Sequence, residues 1–132
     1  MIINNNFRTR NTNQKLKIVE YLKRVKTHPT AEEVYKQVSK DLPAITLATV
    51  YRNLNQLADQ GKILKFKIHH EYHFDADTSL HQHLACNKCD KVLDLFQKEI
   101  SEQAIKKAIS LGFKPDYVDI IFHGSCKDCN GE

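Results

Sequence analysis

A chain of 132 residues is long enough for one ordinary domain or two small ones. With 41% hydrophobic and 27% charged residues it is not wholly disordered, and no run approaches the ~18 apolar residues that a membrane span needs. Met1 to Arg10 carry no apolar stretch of the kind that opens a secretory signal, so no membrane association and a cytoplasmic address are expected. The net charge of +4 is unevenly spread. Residues 1–72 hold 13 Lys/Arg against 6 Asp/Glu, and residues 73–132 hold 7 against 10. A basic first half fits a polyanionic partner, of which nucleic acid is the commonest, although a solvated lysine-rich face gives the same arithmetic.

In chain order, Leu16, Val19, Leu22 and Val25 recur at helical spacing and predict a helix over about 13–26. His28-Pro29 interrupts it. Thr30-x-x-Glu33 is a capping box, and Ala31, Val34, Tyr35 and Val38 form the apolar stripe of a second helix running to about Lys40. A third helix is expected over about 46–60, with Leu47, Val50, Leu54 and Leu57 buried and Gly61 ending it. Its opposite face presents Ala48, Thr49, Arg52, Asn55 and Gln56, with Tyr51 at the boundary. Leu64, Phe66 and Ile68 alternate with Lys65 and Lys67; after His69-His70-Glu71 the alternation resumes at Tyr72 and Phe74, which reads as a β-hairpin.

Three short helices and a hairpin describe a winged helix-turn-helix, whose third helix would enter a DNA major groove. Ala48, Thr49, Tyr51, Arg52 and Asn55 are the expected groove contacts. Lys62, Lys65 and Lys67 on the wing would meet phosphate.

The second half offers a strand over Val92–Phe96, a helix over Glu99–Leu111 and a strand through Val118, Ile120 and Phe122. So small an α/β unit has few ways to cover its sheet, and a second copy of the chain would do so; a homodimer is expected. The expected class is therefore α+β, with a winged-helix domain at 1–74, a hinge at 75–83 and a small α/β dimerisation domain at 84–132.

All four cysteines lie in that half, as Cys86-x-x-Cys89 and Cys126-x-x-Cys129. In a reducing compartment, paired knuckles of this spacing present four thiolates to a structural zinc ion. Two redox dithiols or two disulfides are the alternatives. The remaining chemistry gathers near the junction of the halves. His81-x-His83 would point two imidazoles to one side of an extended segment. Asp75 ends the wing, Asp94 sits between two leucines, and His28 lies far upstream. Three imidazoles and two carboxylates suit Fe(II), Mn(II), Co(II), Ni(II) or Zn and leave an octahedral position open. Nothing in the spacing brings His28 to His81. His69, His70, His73 and His123 read as surface or hairpin residues.

His28-Pro-Thr-Ala-Glu-Glu-Val-Tyr35, Leu47-Ala-Thr-Val-Tyr-Arg-Asn-Leu54, His81-Gln-His-Leu-Ala-Cys86 with Asn87-Lys-Cys89, and Gly124-Ser-Cys-Lys-Asp-Cys129 together resemble the ferric uptake regulator family of metal-dependent repressors. The resemblance runs from about Arg10 to Cys129. It implies a homodimer that binds palindromic operator DNA. It also implies zinc on Cys86, Cys89, Cys126 and Cys129, and a regulatory Fe(II) or Mn(II) on His28, Asp75, His81, His83 and Asp94. Members that sense peroxide carry Asp where iron sensors often carry Glu, and both carboxylates here are Asp. In those members the bound iron reacts with hydrogen peroxide, and His28 or His81, by position, would be oxidised to 2-oxo-histidine and release the DNA. An iron- or zinc-responsive uptake regulator is the alternative within the family. A small non-haem iron enzyme using His81, His83 and one Asp is the alternative outside it. A further metal site found in iron sensors is expected to be missing, because Leu80, Gln82, Ser101 and Ser125 stand at its positions. A leading helix would have to fit within Met1 to Arg10, and is expected to be shortened or absent.

Overall fold

A computed structural model describes residues 10–131. The expectation about a leading helix therefore lies outside the described residues, Arg10 excepted. The elements run α1 (Arg10–Arg24), α2 (Ala31–Val38), α3 (Leu47–Asp59), β1 (Leu64–Ile68), β2 (Glu71–Asp75), β3 (Gln82–Cys86), β4 (Val92–Leu95), α4 (Lys98–Ser110) and β5 (Ile121–Gly124). The chain divides into two compact units, Met1–Thr78 and Ser79–Glu132.

The first unit follows its local signals closely. The Thr30 hydroxyl accepts the Glu33 amide at 3.3 Å, and the Glu33 carboxylate accepts the Thr30 amide at 2.8 Å. Both arms of the capping box are therefore made, and α2 starts where the sequence places it. Thr46 caps α3 by accepting the Thr49 amide at 3.2 Å. At the other end Gly61 takes φ 73°, a left-handed conformation, and the Lys62 amide bonds back to the Leu57 carbonyl at 2.9 Å. β1 and β2 pair antiparallel, with Ile68 opposite Glu71 and Phe66 opposite His73. His69 and His70 form the two-residue turn, at φ 52° and 70°. Both central residues of such a turn need positive φ, and here two histidines adopt it without a glycine.

Ile18, Leu22, Val34, Val50, Leu54 and Phe74 lie at the centre of this unit's core. The stripe expected on α1 is shifted by this packing. Ile18 is buried, whereas Leu16 is 46% exposed and Val19 only partly buried. The phase is set by Gln14, which sits one turn before Ile18 and accepts a hydrogen bond at 3.3 Å from Asn53, itself buried inside α3. A buried amide needs a partner, and Gln14 supplies one only if α1 turns that face inward.

The second unit is a three-stranded sheet with order β4-β3-β5. β3 pairs antiparallel with β4 and parallel with β5. The central strand is one the hydrophobic alternation does not announce, because His81, Gln82 and His83 are all buried at its start. The last strand lies later than expected, at Ile121–Gly124 rather than 118–122. Its bonding to β3 starts at the Ile120 carbonyl, which accepts the His83 amide at 3.1 Å, and the register then follows β3 down to Cys86–Gly124. Gln82 ties β3 to the start of α4. Its Nε2 donates to the Gln97 carbonyl at 2.9 Å and the Ser101 hydroxyl at 2.8 Å. The apolar side of α4 is not covered: Ile100 and Ile109 are exposed, as is Phe113 beyond the helix.

Candidate metal centres and nucleic-acid interface

The first cysteine pair occupies the turn between β3 and β4. The Asp90 amide reaches the Cys86 carbonyl at 3.2 Å, and Asp90 takes φ 61° to complete the turn. The second pair follows β5, where the Cys129 amide closes onto the Cys126 carbonyl at 3.0 Å. All four sulfurs lie within 4.8 Å of one another, and none is in a disulfide. The Cys89–Cys126 separation is 3.7 Å. Four sulfurs ~2.3 Å from a tetrahedral zinc lie about 3.8 Å apart, whereas a disulfide brings them to ~2.05 Å.

The electrostatics agree with that spacing. The Cys86 sulfur accepts amide bonds from Cys126 at 3.3 Å and from Lys88 and Cys89 at 3.4 Å. Those amides, Cys126 first, pull its thiol down to about 6 against the opposing effect of burial. Hydrogen bonding with the Cys126 and Cys89 thiols pushes Cys129 up to about 12. Four sulfurs this close cannot all carry charge alone, and a dication is the natural counter-charge. The residues fit structural zinc.

The His/Asp residues fall in two groups, one in each unit. In the first, the His28 Nε2 lies 3.3 Å from the Asp75 Oδ2. Asp75 is the last residue of β2, and its Oδ1 accepts the Asp77 amide at 2.9 Å. His28 takes φ 56°, a left-handed conformation uncommon for a side chain of this size.

In the second group, the His81 and His83 Nε2 atoms lie 3.3 Å and 3.5 Å from one oxygen, Oδ1 of Asp94. His81 immediately precedes β3 and His83 lies within it two residues on, and the register sets His83 directly opposite Asp94 on β4. His81 Nδ1 lies 2.7 Å from the Ser79 carbonyl. A carbonyl only accepts, so Nδ1 carries a proton and Nε2 faces the carboxylate. A ring nitrogen and a carboxylate oxygen 3.3 Å apart call for a proton or a cation between them. Two donors ~2.1 Å from one ion and at right angles are about 3 Å apart, close to the spacing seen here. The residues fit a divalent transition ion, with Asp94 aimed at the position it would take rather than at a histidine Nδ1.

On the outer side of α3, Ala48, Tyr51, Arg52 and Gln56 are exposed, and Thr49 and Asn55 are half-buried. The Arg52 Nη2 donates to the Thr49 hydroxyl at 3.3 Å, which steadies the guanidinium along the helix. The Tyr51 hydroxyl lies 3.4 Å from both Glu32 carboxylate oxygens. Burial, and then the Glu32 charge, raise its pKa above the usual value, so it remains a donor. On the wing, Lys62 and Lys67 are exposed and Lys65 half-buried. The Lys65 and Lys67 ammoniums sit 4.2 Å and 5.3 Å from the Tyr72 ring centre, held together on one face of the hairpin.

Sequence reasoning treated two residues at these sites as ordinary. His73 lies in the hairpin, as a surface-or-hairpin reading allows, but it is half-buried and its Nδ1 lies 2.7 Å from the His28 carbonyl, a contact the sequence does not announce. Gln82 stands out in the sequence only as a departure from the family pattern, yet it anchors β3, which carries His83 and follows directly on His81.

The ferric uptake regulator family profile matches residues 6–123. The peroxide-responsive repressor PerR of Staphylococcus saprophyticus is 32% identical over 119 residues, which cover 89% of this chain and 80% of that protein. The PerR of Staphylococcus aureus strain USA300 matches to the same extent. Among solved structures, the Campylobacter jejuni peroxide stress regulator superposes with a TM-score of 0.79 at 29% identity, covering 93% of both chains. The Vibrio cholerae ferric uptake regulator does so at 0.67 and 29%, covering 94% of this chain and all of that one. The chain belongs to the ferric uptake regulator family.

Proposed function

We propose that this protein is a metal-dependent transcriptional repressor that binds palindromic operator DNA as a homodimer and is inactivated by peroxide. The observation that carries the reading is the aim of the His81 and His83 Nε2 atoms at one Asp94 oxygen. It stands in a chain whose other unit pairs His28 with Asp75 on a winged-helix scaffold. His28 and Asp75 from one unit, with His81, His83 and Asp94 from the other, would hold one regulatory ion. An ion sharing ligands from both units biases how they are held relative to each other, and so whether two DNA-reading helices match an operator. Cys86, Cys89, Cys126 and Cys129 would hold structural zinc. The open apolar side of the second unit, with Phe113 65% and Tyr117 78% exposed, fits a second copy of the chain. The function is regulation rather than catalysis.

Iron at the regulatory site would supply reduction of hydrogen peroxide; manganese would not. The ring of His28 or His81 would gain one oxygen at C2 in a two-electron oxidation, with the second peroxide oxygen leaving as water. A 2-oxo ring is a poor ligand, so DNA is released. The name shared by the staphylococcal relatives, and the two aspartates at the carboxylate positions, favour this over a sensor of metal concentration alone.

The test is anaerobic. Zinc-loaded protein is charged with Fe(II) or Mn(II) and bound to a duplex selected from a random pool in the presence of Mn(II). It then receives stoichiometric hydrogen peroxide. Loss of DNA binding with iron only, and one added oxygen on the peptide carrying His28 or His81, is the expected result. Unmodified histidines with intact DNA binding would assign the protein to metal-concentration sensing. Absence of metal-dependent DNA affinity would overturn the reading as a regulator.

A further inference from the structure

We infer that His73 is a positioning residue for the regulatory ion: it holds the main chain of His28 so that the imidazole meets Asp75. The inference rests on the regulatory-site reading above. Three successive residues of β2 grip the segment at His28-Pro29. The His73 Nδ1 lies 2.7 Å from the His28 carbonyl oxygen. The Phe74 amide donates to the Pro29 carbonyl at 3.0 Å. Asp75 Oδ2 lies 3.3 Å from the His28 Nε2. Because the His28 carbonyl can only accept, the His73 Nδ1 carries the proton, and the direction of the bond is fixed.

The grip has work to do. His28 is held at φ 56°, a left-handed conformation that a non-glycine residue keeps only where surroundings enforce it. Strand alternation places His73 and Asp75 on the same face of β2. One therefore orders the backbone of His28 and the other meets its ring. Phe66, directly opposite His73 in the register, completes the arrangement. The His73 ring stacks on Phe66 at 6.0 Å and 17°, and the His28 ring meets Phe66 edge-on at 6.0 Å. His73 is thus held by its own packing, and its donor is fixed in place before any ion arrives.

Partners that orient a ligand from outside the coordination sphere commonly change metal affinity 10–100-fold when removed. The test uses full-length, zinc-loaded protein. Mn(II) affinity is measured anaerobically for the wild type, His28→Ala, His73→Phe and His73→Asn, and the visible spectrum of added Co(II) is recorded for each. His73→Phe keeps a flat ring on Phe66 and deletes the donor. His73→Asn places an amide N–H near the former Nδ1. The expected result is a 10–100-fold weaker Mn(II) affinity and an altered Co(II) spectrum for His73→Phe. Recovery to within about threefold, with a wild-type spectrum, is expected for His73→Asn. Wild-type affinity and spectrum in His73→Phe would overturn the inference. So would equal losses in both variants, because the hydrogen bond would then not be the active feature. If His28→Ala binds as tightly as wild type, the regulatory-site reading falls and takes this inference with it, an outcome the other two cannot imitate.

Discussion

Ile18, Val34, Val50 and Leu54 are fully buried at the centre of the first unit, whereas the second leaves Leu111, Phe113 and Tyr117 largely open to solvent. The two units carry similar apolar side chains and use them differently. Three helices and a hairpin surround a core in the first. One four-turn helix and three short strands cannot enclose one in the second. What the second unit has instead is a set of specific links. Four thiols join the β3–β4 turn to the segment after β5, and Gln82 joins β3 to α4. A small domain without a core can be held by such links and by a second copy. The comparison teaches that metal removal and core truncation should act on different halves of one chain.

The largest expected effect is on the second unit. Cys86→Ser removes the sulfur that accepts three amide bonds and with it one of the four proposed zinc ligands. Structural zinc contributes roughly 10–16 kcal/mol in small zinc domains. The second unit should lose its ordered sheet and the dimer, while the first retains its helices. Amide hydrogen exchange, with zinc content measured in parallel, reads both. A folded, zinc-free dimer would break the comparison at once. Leu54→Ala is its mirror image. Leu54 is fully buried in the first unit's core, and such truncations cost about 2–5 kcal/mol. Thermal unfolding should show that loss while zinc stays bound. Zinc released together with the first unit's transition would mean that the two halves unfold as one.

How legible each half was in the sequence follows from the same difference. The capping box at Thr30 and the terminator at Gly61 obey rules that act within four residues, so they can be read directly. The cysteine pairs can be read because zinc demands a fixed spacing. β3 could not be read, because His81, Gln82 and His83 at its start are buried on both faces, where a hydrophobic pattern expects apolar residues. A site that needs buried polar groups erases the periodicity that would announce its strand. The apolar residues of α4 follow helical spacing, yet Ile100 and Ile109 face solvent, because periodicity identifies a face and not what covers it. Asn53 and His73 escaped for a third reason. Their partners, Gln14 and His28, lie 39 and 45 residues away, and no local rule reaches that far.

A smaller effect probes the link that the second unit uses in place of packing. Gln82→Ala would strand the Ser101 hydroxyl and the Gln97 amide, which Gln82 now satisfies, while the Gln97 carbonyl keeps the Ile100 amide. Leaving buried polar groups unsatisfied costs about 1–3 kcal/mol. Chemical denaturation of zinc-loaded protein should show that loss in the second unit. Faster hydrogen exchange is expected at the first turn of α4, with little change at Val92–Leu95, because β4 hangs on the main-chain ladder of β3. Equal exchange at both would mean that the sheet and helix are one cooperative piece and that Gln82 is not the joint between them.

The smallest effect tests whether the first unit's stability is separable from its proposed metal ligand, His28. Thr30→Ala deletes one arm of the capping box and should cost about 1 kcal/mol. Thr30 follows directly on His28-Pro29, so a careless reading would expect the metal site to suffer equally. The geometry argues otherwise. His28 is held from β2 by His73, Phe74 and Asp75, and none of those contacts passes through the Thr30 side chain. A modest drop in thermal midpoint with unchanged Mn(II) affinity is therefore expected. An affinity loss as large as that of His73→Phe would show that the helix start, rather than the hairpin, sets His28, and the division between scaffold and site would have to be redrawn at Thr30.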